Sequence, residues 1–180
     1  MSGRANGCSN RGLKPKTRAT LKDNNMGADV TSDLRAMKKR LDALYRRYNR
    51  REMVHPDPLE FLYRYPDPAD REIVALIAAT LAYGRVKQIL KNVESILNQM
   101  PHPRAFLSKT SERNLRETFA DFKHRFSTGD ELAALLISIK RINAGYGSLQ
   151  DCFLKEVRPS DTTAIPALSQ FVRRLSEASG

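Results

Sequence analysis

The sequence predicts an all-α protein, with a single globular helical domain of about seven to eight helices behind a disordered basic N-terminal tail. Three observations support this prediction. Apolar residues recur at helical spacing along most of the chain. Helix-start signals of the Asp-Pro type occur at Asp57 and again at Asp67. No segment alternates between apolar and polar residues over a length that would favour a strand.

Residues 1–30 are predicted to form the disordered tail. This segment is rich in Gly, Asn, Ser, Lys and Arg and has almost no bulky apolar side chain, so it cannot bury enough surface to fold. It is either inert or a basic arm that adds affinity for phosphates. Residues 31–180 are then the helical domain, which we expect to be incomplete at its C-terminal end.

The first helix is predicted to begin near Thr31, Ser32 and Asp33, which can cap its N-terminus. The face of this helix that lies opposite its apolar side chains is basic. It is either solvated or able to follow a row of phosphates. The apolar side chains of this helix repeat at helical spacing and are Leu34, Met37, Leu41, Leu44, Tyr45 and Tyr48.

The central helix of the domain is predicted over residues 73–82. At 100° per residue, its bulky side chains share one half of the helix and its alanines share the other. A helix that is apolar all round is expected to be buried, and the alanine side would let a neighbouring backbone approach closely. Tyr83-Gly84-Arg85 then interrupts the helical pattern.

Further helical segments follow this interruption and are separated by proline or glycine. Pro101-His102-Pro103 is predicted to break the first of these segments, and Gly145 is predicted to stop the third. The segments are residues 86–97, 111–122, 130–142, 148–154 and 161–175.

The charge of the chain restricts its partners. Lys and Arg number 31 against 20 acidic residues, which gives a net charge of +11. Residues 1–30 contain six basic and two acidic residues, so +7 remains for the predicted domain. This excess favours a polyanionic partner such as nucleic acid, reached through phosphate contacts, although solubility alone is the alternative.

The cysteines and the lengths of the apolar runs predict the cellular compartment. The two cysteines, Cys8 and Cys152, lie far apart and form no metal-ligand cluster, which favours a reducing cytoplasm. No apolar run approaches the roughly 20 residues of a membrane span, and the N-terminus has no apolar signal region. We therefore expect a cytoplasmic protein without a membrane partner.

Catalytic chemistry has little support in the residue pattern. No glycine-rich phosphate loop or nucleophile elbow occurs, and the acidic residues mostly stand at helix starts. The three histidines, His55, His102 and His124, occur singly and lack the spacing of a metal site. We therefore expect no catalytic residue, no metal and no cofactor.

Two segments are candidates for nucleic-acid contact. Tyr83-Gly84-Arg85 places an aromatic, a flexible residue and a guanidinium at a helix break, although a simple kink with Tyr83 in the core is the alternative. Residues 122–126 interleave basic with aromatic residues, a pattern compatible with phosphate and base contact or with a loop anchored by two phenylalanines. The candidate contact residues are Tyr83, Gly84, Arg85, Lys87, Lys123, His124 and Arg125.

Several stretches resemble a family of bacterial proteins labelled as a domain of unknown function. They are residues 45–65, with His55-Pro-Asp-Pro58 at their centre, residues 70–78, residues 81–86 and residues 122–126. The resemblance covers roughly residues 35–175. That family is in turn distantly similar to helix-hairpin-helix DNA glycosylases of the endonuclease III type.

The resemblance to glycosylases implies a limited set of expectations. The central helix is similar to the first buried core helix of that superfamily, where polar residues in the following loop probe the duplex. This chain has Tyr83-Gly84-Arg85 there, so that role is not transferred. The resemblance also implies a hairpin motif and a catalytic acid beyond Gly180, so the chain is expected to be a C-terminally truncated member.

Two hypotheses about function follow from the sequence. The first is the N-terminal helical part of a glycosylase-like protein, associated with nucleic acid, DNA in particular, and without catalytic activity on its own. The second is a helical protein–protein interaction or scaffold domain without a nucleic-acid role. In that case truncation would expose a surface that binds a partner or a second copy of the chain.

Overall fold

The computed structural model describes residues 26–179, and the side chains of residues 30–179. Over that range the chain forms eight α-helices and one short β-hairpin, which confirms the predicted all-α class and the predicted number of helices. Residues 1–25, most of the predicted tail, lie outside the described part. The chain divides into two units, residues 1–50 and residues 51–180. The predicted domain bounds, 1–30 and 31–180, stay a prediction.

The helices follow one another with short connections, and none within residues 26–179 is both long and apolar enough to cross a bilayer. Two 3-10 helices, Arg51–Met53 and Pro58–Arg64, precede the second α-helix. The hairpin consists of β1 (Lys123–His124) and β2 (Ser127–Thr128). The α-helices are α1 (Met26–Tyr48), α2 (Pro68–Thr80), α3 (Val86–Gln99), α4 (Pro103–Lys109), α5 (Glu112–Thr118), α6 (Gly129–Tyr146), α7 (Leu149–Leu154) and α8 (Ile165–Ala178).

The first unit contributes one helix to the described residues. Helix α1 begins at Met26, five residues before the predicted capping residues at Thr31–Asp33. Lys38 and Asp42 form an exposed ion pair one turn apart, and Arg46 and Arg47 lie in the last turn, where the helix dipole favours cations.

The second unit is organised around α2 and α6. Helix α2 packs against the 3-10 helix Pro58–Arg64, α3, α4 and α7, whereas α6 packs against α4, α5, α7 and α8. Their inward side chains, among them Ile73, Ile77, Leu136 and Ile139, are almost completely inaccessible to solvent. One core therefore forms between these two helices, and the surrounding helices close it.

The N-terminal half of α2 carries acidic side chains that cap other helices. Asp70 is buried and accepts a hydrogen bond from the backbone N–H of Arg104 at 2.7 Å, at the start of α4. Glu72 accepts from the N–H groups of Leu149 and Gln150 at 3.1 and 3.0 Å, at the start of α7. Because free N–H groups at a helix start need acceptors, these two carboxylates fix α4 and α7 to α2.

The alanine side of α2 differs from the prediction of complete burial. Ala78 is buried, but Ala75 is half-buried and Ala79 and Ala82 are exposed. Instead this side forms the floor of a cleft of about 400 Å³, whose opposite wall includes Leu59 and Leu62 of the 3-10 helix.

Three further elements differ from the sequence prediction. Helix α4 was not predicted, because Pro103 was interpreted as part of a break although proline also starts helices. Gly145 lies inside α6, and the helix ends instead at Gly147, whose φ of 94° suits a glycine. Helix α5 stops at Thr118 instead of the expected Phe122, and residues 119–122 form a turn that leads into the hairpin.

Two arginines connect α8 to the rest of the second unit. Arg141 of α6 makes a bidentate ion pair with Glu112, at 2.8 and 2.9 Å, and also donates to the carbonyl of Ala178. The hydrogen bond from Arg141 holds the pKa of the Glu112 carboxyl below its usual value. Arg174 of α8 donates to the carboxylate of Glu156, and this hydrogen bond raises the pKa of the guanidinium.

Gly129 and Gly145 give a matched pair of substitutions in α6. A Cβ atom at Gly129 would lie 2.1 Å from the carbonyl oxygen of Phe119, whereas nothing lies within 4 Å of a Cβ at Gly145. We expect Gly129→Ala to lower the free energy of unfolding by at least about 2 kcal/mol, because backbone must move. Gly145→Ala should raise it by about 0.5–1 kcal/mol, because alanine favours a helix interior. Urea denaturation monitored by circular dichroism measures both, and equal effects would contradict this packing.

Cys152 is predicted to be an unreactive thiol in the folded protein. Its side chain is fully buried, and burial raises the pKa of the thiol. Because the thiolate is the reacting species, we expect Ellman's reagent to modify Cys152 slowly at pH 8 and rapidly after unfolding in urea. The variant Cys8→Ser leaves Cys152 as the one thiol of the chain, since the sequence has two cysteines. Rapid modification without urea would contradict the buried position.

Candidate nucleic-acid interface

The turn between α2 and α3 forms the first half of the candidate site. Helix α2 ends at Thr80, and α3 begins at Val86 with Arg85 at its N-cap. Gly84 has a φ of 107°, a conformation in which a side chain would be strained, so glycine is required for this reversal of direction. The predicted interruption at Tyr83-Gly84-Arg85 is confirmed as the connection between two helices.

The β-hairpin forms the second half of the site. Lys123 pairs with Thr128 and His124 with Ser127, which leaves Arg125 and Phe126 as a two-residue loop. Arg125 has a φ of 54°, which tight hairpin loops require and usually obtain from glycine or asparagine. Thr128 then caps α6 in a capping box, so the hairpin is continuous with a core helix.

His124 joins the two halves. Its side chain is 1% exposed, and its Nε2 lies 3.0 Å from the carbonyl oxygen of Tyr83. Its Nδ1 lies 2.7 Å from the Asn92 Nδ2. A carbonyl oxygen only accepts and an amide nitrogen only donates, so these partners assign the neutral imidazole with its proton on Nε2. Both ring nitrogens are therefore used within the protein, and His124 positions the hairpin.

Tyr83 makes a second set of contacts with the hairpin. Its hydroxyl donates to the carbonyl oxygen of His124 at 3.0 Å and lies 2.9 Å from the Ser127 hydroxyl. Its ring meets the imidazole of His124 edge to face, with centroids 4.7 Å apart. The backbone of each segment is thus bound by the side chain of the other, which restricts how the hairpin can tilt.

Asn92 of α3 supplies the third attachment. Its Nδ2 donates to the carbonyl oxygen of Lys123 at 3.1 Å as well as to His124, and its Oδ1 accepts from Gln88 at 2.7 Å. Asn92 is only 7% exposed. Buried amides that satisfy several partners at once rigidify the elements they join. We call residues 83–87 together with residues 123–127 the hairpin–turn site.

Arg125 lies across the turn. A Cβ atom at Gly84 would come within 2.8 Å of the Arg125 Cδ and 3.1 Å of its Nη1, so the side chain rests directly on this glycine. The guanidinium carbon lies 5.6 Å from the ring centroid of Phe126. Phe126 is 83% exposed, the highest value among the large apolar side chains of residues 30–179. The loop therefore presents a cation and an aromatic ring together.

The seven predicted contact residues fall into two groups in the structure. Tyr83, Gly84, His124 and Arg125 contact one another across the two segments. The remaining three are exposed cations near them in sequence: Arg85, Lys87 and Lys123. Within the described part of the chain, neither these three residues nor Arg125 form an ion pair. That all seven contact nucleic acid stays a prediction.

Sequence reasoning did not identify Asn92 or Ser127 as site residues, and it included Phe126 only as a member of the candidate segment 122–126. Asn92 had a signal, since it stands at helical spacing from Ile89 and Ile96 on the apolar side of α3. A polar residue in that position needs a buried partner. Elsewhere in residues 30–179, no group of three or more His, Cys, Asp or Glu side chains is placed to hold a metal ion.

The fold and the site define a small all-α protein that holds a basic β-hairpin against a helix–helix turn. A family model described as "Protein of unknown function (DUF2400)" matches residues 57–180, more than half of the chain. The chain therefore belongs to the DUF2400 family. Neither the search of curated proteins nor the search of solved structures gives a match.

The importance of Asn92 can be measured by replacing it with leucine. Asn92→Leu leaves the Nδ1 of His124 and the carbonyl of Lys123 without their partner, so we expect the free energy of unfolding to fall by about 1–3 kcal/mol. Hydrogen exchange at residues 123–128 should accelerate by more than exchange in α6. Ser95→Ala on the same helix removes only a local bond to the Asn92 carbonyl and is the control. Equal exchange rates in the hairpin of both variants would show that Asn92 does not position it.

Proposed function

We propose that the protein binds nucleic acid at the hairpin–turn site, through contacts to phosphates and without reading the base sequence. The observation that carries the proposal is the His124–Tyr83–Asn92 network, which holds an exposed basic loop rigidly against a second basic segment. Cations held on a rigid scaffold lose little conformational freedom when they meet an anion. Lys and Arg contacts of this kind set affinity and orientation, whereas base-edge contacts set specificity.

The start of α3 adds to this electrostatic argument. Its N-cap is Arg85, no side chain caps it, and its first turn has no acidic residue but contains Lys87. Cations are unfavourable at the positive end of a helix, by about 0.3–1 kcal/mol each. A bound phosphate would accept from the free N–H groups and compensate both charges. This arrangement therefore supports an anionic partner beside the hairpin.

The proposed activity is binding without catalysis by this polypeptide. The distant resemblance to helix-hairpin-helix DNA glycosylases supports nucleic acid as the partner and supplies no residue for a reaction. At the site the imidazole of His124 is a candidate general base, but both of its nitrogens are occupied by Tyr83 and Asn92. Binding through phosphate contacts, without a reaction, is thus the form of the hypothesis that the contacts support.

A second candidate function is protein–protein interaction through α8. Ile165, Leu168 and Val172 of this helix are 67%, 51% and 52% exposed, and they recur at helical spacing. Exposed apolar rows of this kind favour association with another protein or a second copy of the chain. Sedimentation velocity distinguishes the two functions, because a monomer with nucleic-acid affinity supports the first and a self-associating chain without it supports the second.

Removal of two site charges should weaken binding in a salt-dependent way. We expect Lys87→Gln combined with Lys123→Gln to lower affinity for a labelled oligonucleotide at low salt, equally for different sequences. The slope of log K against log salt concentration should decrease by about 1 for each lost phosphate contact. Fluorescence anisotropy over a salt titration measures both quantities.

The matched control removes the same charge elsewhere. Lys109→Gln combined with Arg116→Gln changes two exposed cations of α4 and α5 that form no ion pair with a described carboxylate. This control should keep most of the wild-type affinity. The proposal is wrong if the wild-type protein has no detectable affinity at low salt, or if both double variants lose affinity to the same extent.

A further inference from the structure

We propose that Phe126 is a stacking platform for a single unpaired base, so that the preferred ligand of the hairpin–turn site is single-stranded nucleic acid. This inference rests on the proposed function and names the ligand class of the same site. Its starting observation is that an aromatic ring, 83% exposed, stands at the tip of a hairpin that is fixed at its base. Without a partner, this ring leaves a large apolar surface in water.

The position of Arg125 determines how many faces of the ring are free. Its guanidinium carbon lies 5.6 Å from the Phe126 centroid, which is a cation–π contact on one face of the ring. The side chain of Arg125 also rests on Gly84, so its guanidinium lies between this glycine and the ring of Phe126. The guanidinium therefore covers part of one face of the ring, and the opposite face remains for a ligand.

A ring with one free face matches one of the two known uses of exposed aromatics in nucleic-acid binding. A side chain that wedges between two base pairs of a duplex needs both of its faces for the separated bases. A platform under an unpaired base needs only one face, and the neighbouring phosphates are then bound by nearby cations. Lys123 and Arg125 precede the ring in sequence and have exposed side chains. The contacts thus favour an unpaired base over a duplex.

The loop geometry supports a fixed platform. Arg125 adopts a φ of 54° although it is not glycine, a conformation that costs about 1–2 kcal/mol for a residue with a side chain. Only this conformation lets a two-residue loop close between His124 and Ser127, which are themselves bound to Tyr83. The ring of Phe126 consequently projects from a loop whose backbone is defined by buried contacts.

The test compares binding of one oligonucleotide as a single strand and as a duplex. We expect Phe126→Ala to weaken single-strand binding at least about fivefold and duplex binding much less. Phe126→Trp should retain single-strand affinity, whereas Phe126→Leu should not, because leucine is apolar but has no ring. Wild-type protein should quench or shift the fluorescence of 2-aminopurine in the strand, and Phe126→Ala should abolish that signal. Leu154→Ala, at another exposed apolar side chain, is the control and should change nothing.

Each alternative outcome has a separate meaning. If the wild-type protein and the Phe126→Ala variant bind equally well, the stacking platform is wrong and the proposed function is unaffected. An equal loss on single strand and duplex would overturn the single-strand preference and indicate insertion into a duplex. Absence of any binding by the wild-type protein at low salt would overturn the proposed function itself.

Discussion

The structure of the second unit depends on the acidic side chains at the N-terminal end of α2. Asp67 caps α2 itself, Asp70 accepts from the start of α4, and Glu72 accepts from the start of α7. Three helix starts are thus satisfied by carboxylates that lie within six residues of one another. Because the N-terminus of α2 also favours negative charge, these side chains are stabilised by the helix that carries them. Helices α4 and α7 are then correctly placed to pack on α6.

The opposite end of α2 determines the position of the hairpin. The carbonyl oxygen of Tyr83 accepts from the imidazole of His124, and this oxygen is a backbone atom of the turn that ends the helix. Its place in space therefore follows from the length of α2 and from the reversal at Gly84. The side chain of Tyr83 adds direction, since its hydroxyl binds the hairpin backbone. A buried helix consequently positions an exposed loop, as a scaffold positions a binding segment.

The sequence was most informative where periodicity extends over several turns. Helices α2, α3 and α6 were predicted close to their observed places, because buried side chains at helical spacing leave few alternatives. Helix α4, with seven residues, and the hairpin, with two residues per strand, are too short to produce a period. The exposed alanine side of α2 also had no signal, since alanine is compatible with both a core and a cleft floor.

The site could be predicted in its members but not in its contacts. Tyr83 and His124 were both proposed from local pattern, yet they lie 41 residues apart and meet only after the chain has passed through α3, α4 and α5. The polar atoms of these two residues bind protein groups within the site, so the residues position the site and do not themselves bind a ligand. Asn92, which satisfies two hairpin groups at once, is identified only when the partner segment is known.

At position 125, the residue type that would best stabilise the loop backbone differs from the arginine that is present. A glycine or asparagine at this loop position would adopt its positive φ with less strain, so the backbone alone does not explain an arginine. The side chain instead fits the space that Gly84 leaves open and reaches the ring of Phe126. One contact therefore explains two unusual residues. Arg125 stands where glycine is favoured, and Gly84 stands where the side chain of Arg125 must pass. That contact stabilises the arrangement of charge and ring at the tip, which the fold of the core does not require.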